Sequence, residues 1–160
     1  MVTLNILPFG CTWGEFAAQQ PDLAAQARAR LEEFAHHVMA TISHDGSPRV
    51  SGTEVFWDDG RLLFGAMSGS RKAQDLAKDP RVALHTNPGD GTMVVGDFKF
   101  NGRAQRLEGP DLAQLLERIE APVGSRMYEV RLSVVCRTRV RGDQLDVHVW
   151  RPGQELKKAN

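Results

Sequence analysis

The sequence predicts a mainly β domain, an antiparallel barrel carrying short helices, and three observations predict it. Residues alternate at period two near the carboxyl end, with Val130, Leu132, Val134, Cys136, Thr138 and Val140 on one segment and Leu145, Val147 and Val149 on the next. Turn signals of hairpin length separate the segments rich in β-formers. Helical spacing is confined to short stretches.

Residues 1–20 show no periodicity and are broken by Pro8, Gly10 and Gly14, so an irregular arm is expected, either disordered or laid across a partner. The single domain then runs over 21–160. Leu23, Ala27, Leu31 and Phe34 recur at helical spacing after Pro21, predicting an amphipathic helix over 22–34. Strands follow at 38–43 and 49–57, joined by the turn His44-Asp45-Gly46-Ser47-Pro48. Asp58-Asp59-Gly60 is a hairpin turn, where glycine supplies positive φ. The nearly unbroken apolar run 62–67 predicts a strand buried on both faces, and 70–78 a short helix stopped by Pro80. A strand at 82–86 leads into a loop, and 93–107 reads as one long strand kinked or bulged at Gly96 and Gly102. Leu112, Leu115, Leu116 and Ile119 mark the clearest helix, after Pro110-Asp111. The two alternating segments close the chain around a turn at 141–144.

Lysine plus arginine equals aspartate plus glutamate at 20 each, so the net charge of +0 gives no reason to expect nucleic acid or a membrane as partner. Two cysteines, Cys11 and Cys136, make no disulfide framework, no apolar run approaches a membrane span, and the amino terminus lacks a charged leader; a cytoplasmic location is expected. No carboxylate, histidine or cysteine spacing marks a metal site, and no glycine-rich nucleotide loop or local catalytic triad is present.

The most informative stretch is Gly65-Ala66-Met67-Ser68-Gly69-Ser70-Arg71-Lys72. A buried strand runs out, turns, and enters a helix with two cations in its first turn. Unpaired N–H groups and partial positive charge at a helix start favour a phosphate. Ser68 and Ser70 can donate hydroxyl hydrogen bonds, Arg71 offers a planar fork and Lys72 a point charge. Cations in a first turn oppose the helix dipole, and a bound anion would remove that conflict. Read alone, the stretch also allows a plainer account in which Ser70 only caps the helix and the cations point to water.

The series Ala40-Thr41-Ile42, His44-Asp45-Gly46-Ser47-Pro48, Arg49-Val50-Ser51, Asp58-Asp59-Gly60, Ser70-Arg71-Lys72-Ala73-Gln74-Asp75-Leu76 and Asp79-Pro80-Arg81-Val82-Ala83 resembles the pyridoxamine 5'-phosphate oxidase-like family of FMN-binding split barrels. The resemblance covers about residues 34–107 and implies a homodimer with the cofactor at the subunit interface. It implies a flavin-dependent oxidoreductase exchanging hydride with a small-molecule substrate. It also implies that the strand Arg49, Val50, Ser51, Gly52 and Thr53 lies along the flavin. Met67 and Ser68 would flank the ring, and Ser70, Arg71 and Lys72 would hold the phosphate. Gly52 suits close approach of a flat ring, although a bulge would equally explain it.

The second subunit is implied to complete the site, with Lys99, Trp150 and Arg151 as candidates. Trp150 stands opposite Leu145, Val147 and Val149, so its ring is expected to leave the local core, to stack on flavin or to pack. Family members using the deazaflavin coenzyme F-420 often carry a basic residue where Ser70 stands, so FMN is the expected cofactor and F-420 the alternative. A non-catalytic flavin or haem carrier, using His36, His37, His85 or His148, is a further alternative. The chain ends in Trp150-Arg151-Pro152-Gly153-Gln154 and a polar tail, without a recognisable clamp for a substrate phosphate, so pyridoxamine phosphate oxidation itself is not expected. Arg137, Arg139 and Arg141 project from one strand face, expected to be solvated or at an interface.

Overall fold

The computed structural model describes residues 9–159. Two helices come first, α1 (Trp13–Gln19) and α2 (Pro21–Glu33). They are followed by β1 (His37–Ile42), β2 (Pro48–Thr53), β3 (Val55–Asp58), β4 (Arg61–Met67), α3 (Arg71–Lys78), β5 (Arg81–His85) and β6 (Asp97–Arg106). α4 (Gly109–Ile119), β7 (Ser125–Arg141), β8 (Gln144–Trp150) and β9 (Lys157–Lys158) complete the chain.

The strands form one antiparallel sheet in the order β2-β1-β5-β6-β7-β4-β3, with β8 joined to β7 and β9 to β8. β2 and β3 lie at opposite ends of that path, yet only Glu54 separates them in the chain. The sheet must therefore curl until its two edges meet, and it leaves them unpaired: a split barrel. The strand expected over 49–57 is thus two strands, divided at the split.

The barrel closes around Met39, Phe64, Phe98, Phe100, Val130 and Leu132, all almost fully buried. α1 covers one end. Its residues, expected to be irregular, form a helix because Thr12 and Glu15 cap each other's backbone N–H groups reciprocally and because Trp13 and Phe16 are buried. Cys11 fixes the approach to α1 through two backbone bonds with Leu132, 2.9 and 2.8 Å. The rest of the expected arm, residues 1–8, lies outside the described residues.

The run expected to be buried on both faces is so. Leu62, Phe64 and Ala66 face the barrel core, while Leu63 joins a smaller cluster with Leu107, Leu115 and Met127 beneath α4. β6 starts at Asp97 rather than at Met93, because Met93 and Gly96 adopt positive φ, 59° and 93°. Gly102 does mark a bulge: the β6–β7 register passes from Asn101↔Val134 to Gly102↔Leu132, leaving Ser133 over.

That slip corrects two expectations. Before Ser133 the even-numbered residues Tyr128, Val130 and Leu132 are buried; beyond it Val135 is buried, and Val134 and Cys136 are only partly covered. The neighbouring strand follows, so Leu145 is 51% exposed and Trp150 is fully buried, its ring 4.7 Å from that of Phe16. Trp150 therefore belongs to the core, and Arg137 also turns inward. Arg137 donates to the Gln26 side chain, and Arg139 donates to Asp146 at 2.8 Å. Arg137 and Arg139 belong to a partly buried ionic cluster around Asp146, while Arg141, at the end of the row, stays exposed to solvent.

Candidate functional site

A groove of about 800 Å³ opens where the barrel is split. One wall is the end of β2 and the corner beyond it, Gly52, Thr53 and Glu54, with Lys72 reaching in from α3. The floor is Gly65, Ala66 and Met67 at the end of β4, and the opposite wall is the segment 119–122 after α4 with Ser125 and Met127. A groove of this size is ordinary for a small organic ligand.

Charged contacts hold both walls. Arg61 donates to Asp111 at 2.9 Å and to Asp58 at 2.8 Å, and Arg118 donates to Asp58 at 2.8 Å, tying α4 to the β3–β4 hairpin. On the other side the Asp75 carboxylate accepts from Arg49 at 2.7 Å and Thr41 at 2.8 Å, which fixes α3 against β1 and β2. Asp75 is buried, and the Arg49 guanidinium keeps its carboxyl below the usual carboxylate range in spite of that burial.

Asp75→Asn should cost about 1.5–3 kcal/mol, as expected for a hydrogen bond to a charged group. A carboxyl whose pKa is depressed on folding adds stability above its unfolded value, near 4, and loses it as pH falls through the folded value. Urea unfolding of both proteins at neutral pH and at about pH 3 should show the gap narrowing in acid; a constant gap would exclude this linkage.

The structure distributes the expected site residues as follows. Alternation turns Arg49, Ser51 and Thr53 to one side of β2 and Val50 and Gly52 to the other. Gly52, Thr53, Met67 and Lys72 meet in the groove. Ser70 caps α3 by accepting from the backbone of Ala73 at 3.2 Å, leaving its hydroxyl hydrogen available. Ser68 and Arg71 are exposed beside that helix start. Arg49 is committed to Asp75, Val50 is 69% exposed on the outer face, and the Ser51 hydroxyl is buried without a hydrogen-bond partner. Lys99 and Arg151 are exposed and lie outside this groove, and Trp150 is inside the core.

Lys72 is the focal side chain. Its ammonium donates to the Gly52 carbonyl at 3.2 Å and lies 5.8 Å from the centre of the Phe64 ring. Burial pushes its pKa below the ordinary lysine value, a conflict that a neighbouring anion would relieve. Gly52 completes the arrangement: a Cβ there would meet no heavy atom within 4 Å, so the strand presents bare backbone to open space. A partly buried cation and an uncovered strand edge form a donor set that fits a flat ring carrying a phosphate.

The far wall was not foreseen. Glu120 takes a left-handed conformation, φ 50°, and ends α4 so that Ala121 and Pro122 turn over the groove. The Pro122-Val123-Gly124 turn was the only sequence signal for it, and it gives no indication of which strand it faces.

The histidines differ in availability. His37 is buried, with one ring nitrogen 3.0 Å from the Leu31 carbonyl and the other accepting from the Asn87 backbone, so both are taken. His85 and His148 contact Thr86 and Arg137. His36 alone of the four lines the groove. Among the described residues no three His, Cys, Asp or Glu side chains are placed to share a metal ion, and no helix is long and apolar enough to cross a membrane.

A family model described as pyridoxamine 5'-phosphate oxidase matches residues 23–151. No curated protein sequence matches the chain. Among solved structures, a pyridoxamine 5'-phosphate oxidase-related, FMN-binding protein of Nostoc punctiforme superposes with TM-score 0.67 at 13% identity, covering 85% of this chain and 94% of that one. A haem-binding protein of Mycobacterium smegmatis superposes with TM-score 0.63 at 18% identity, over 80% of this chain. The match takes in only 58% of that longer protein. An F420 reductase gives TM-score 0.50 at 20% identity, with 68% of this chain and 94% of that one covered. At these identities the likeness is one of fold.

Proposed function

The chain belongs to the pyridoxamine 5'-phosphate oxidase family, and from that membership we propose that it is an FMN-dependent oxidoreductase acting on a small molecule. The observation that carries this reading is the desolvated Lys72 ammonium on the wall of a groove whose neighbouring strand offers bare backbone at Gly52. Ser68, Ser70, Arg71, Lys72 and the first N–H groups of α3 would hold the phosphate. Backbone from Ser51 to Thr53 would meet the polar edge of the ring, with Met67 against its face. Bound FMN would supply hydride exchange with the substrate; the chain's part is to orient the ring, neutralise its phosphate and exclude water.

A homodimer is part of the proposal. Paired residues share a face, so Gly52, Val38, His85, Lys99, Cys136 and Val149 form one row across six strands, with Val50, Ala40 and Ala83 beside it. Val50 and Val38 are 69% and 40% exposed there, an apolar surface suited to a second copy. Lys99 lies in the same row, which supports its reaching a partner's flavin. The free thiols Cys11 and Cys136 support a reducing, cytoplasmic setting.

Titrating the protein with FMN by flavin fluorescence tests the assignment, and absence of binding removes it. Lys72→Ala should weaken FMN roughly ten- to hundredfold, the loss of one charge-assisted contact of about 1.5–3 kcal/mol. Unchanged affinity would take Lys72 out of the site. Parallel titration with coenzyme F-420 and with haem decides among cofactors, since tightest binding of either would replace FMN.

A further inference from the structure

The groove is larger than a phosphate end requires, and the part away from Lys72 has a consistent chemistry. Phe56, Trp57, Ile119, Pro122 and Met127 give it an apolar, partly aromatic lining. Its fixed charges are unequal. Glu54, the single residue bridging the split, and Glu120, the left-handed residue that ends α4, contribute two carboxylates; Lys72 is the only lysine or arginine among the described lining residues. His36 stands beside Glu54, its Nδ1 3.5 Å from the Glu54 carboxylate.

We propose that this groove selects neutral or cationic ring compounds and turns away phosphorylated or carboxylated ones. The inference rests on the flavoprotein reading: once the cofactor phosphate takes Lys72, a second anion meets two carboxylates and no compensating cation. Like charges brought together across a groove cost binding even where solvent screens them, whereas an ammonium on an aromatic substrate gains from both glutamates and from the rings. Glu54 and Glu120 become the residues that set specificity, and the apolar lining the surface against which a ring lies.

The test uses the FMN-loaded protein at about pH 8, where the amine and naphthoate probes both carry charge, and two matched probes, 2-naphthylmethylamine and 2-naphthoate, with pyridoxal 5'-phosphate as a third. FMN binding is read first by flavin fluorescence; its failure counts against the function itself and the selectivity with it. With FMN bound, calorimetry should give a Kd for the amine at least about tenfold below that for the naphthoate, with pyridoxal 5'-phosphate weaker still. In the Glu54→Gln/Glu120→Gln variant that ratio should fall toward one, and each single variant should lower it part-way. Both side chains are exposed, so the fold should be retained, as circular dichroism would verify. Equal or tighter binding of either anion, absence of binding by both naphthalenes, or a ratio that survives loss of both carboxylates would each overturn the selectivity while leaving the flavin assignment standing.

Discussion

Gly102→Ala should be among the most destabilising single-methyl changes available in this chain. A Cβ at Gly102 would stand 1.9 Å from the carbonyl oxygen of Arg131 and 3.2 Å from the Cα of Leu132. Both are backbone atoms of the longest strand, which pairs with β4, β6 and β8 and so cannot move alone. Overpacking commonly costs 1–3 kcal/mol; a contact this short against pinned backbone should reach about 3 kcal/mol or more. For a chain of this size that is a fall in Tm of roughly 6–12 °C. Gly52→Ala is the control: with no heavy atom within 4 Å of the added methyl, its stability should stay within about 0.5 kcal/mol, while FMN affinity drops because the methyl enters the groove. Urea unfolding of both variants reads the contrast. Equal stabilities would mean that the bulge can be ironed out without loss.

The same bulge marks the limit of what the sequence discloses about the fold. Strand positions, the helix after Pro110 and the glycine at the bulge were all legible, because periodicity and turn chemistry are local. Which face is inside after Ser133 was not, since one unpaired residue shifts every later side chain to the other side. Alternation alone therefore assigned Leu145, Val147 and Val149 to the interior and Trp150 to the exterior, whereas Trp150 is fully buried, Leu145 is exposed and the two valines are only half-buried. The division of the 49–57 segment at Glu54 was hidden for a related reason: both halves are β-formers, and only the sheet order shows that they sit on opposite edges.

Of the residues expected at the site, Gly52, Thr53, Met67 and Lys72 line one groove. The tertiary pairings were not legible. Asp75 lies within the stretch from Ser70 to Leu76 that carries the family resemblance, yet its bond to Arg49 spans 26 positions and depends on how α3 is laid over β2. The wall after α4 depends on a helix end that is anchored through Arg61 and Arg118. Long-range ion pairs leave no periodic trace in a sequence.

Trp150→Ala should unfold the capped end of the barrel. The indole is completely buried, 4.7 Å from the Phe16 ring, which in turn stands 5.2 Å from Trp13, so the substitution removes one of the aromatic contacts that seat α1. Truncating a buried aromatic of this size costs about 3–5 kcal/mol, a large share of a typical 5–15 kcal/mol. Trp150→Phe should be far milder. The indole N–H has no hydrogen-bond partner, so replacing it forfeits volume but relieves a buried unsatisfied donor. The pair of variants separates a core role from a cofactor role. Under the core role, urea unfolding registers the loss in the alanine variant, while the phenylalanine variant keeps wild-type FMN affinity and nearly wild-type stability. If the phenylalanine variant instead lost FMN affinity while its stability held, the ring would be acting at the flavin through a conformation other than the buried one, and the packing of α1 against β8 would have to be revised.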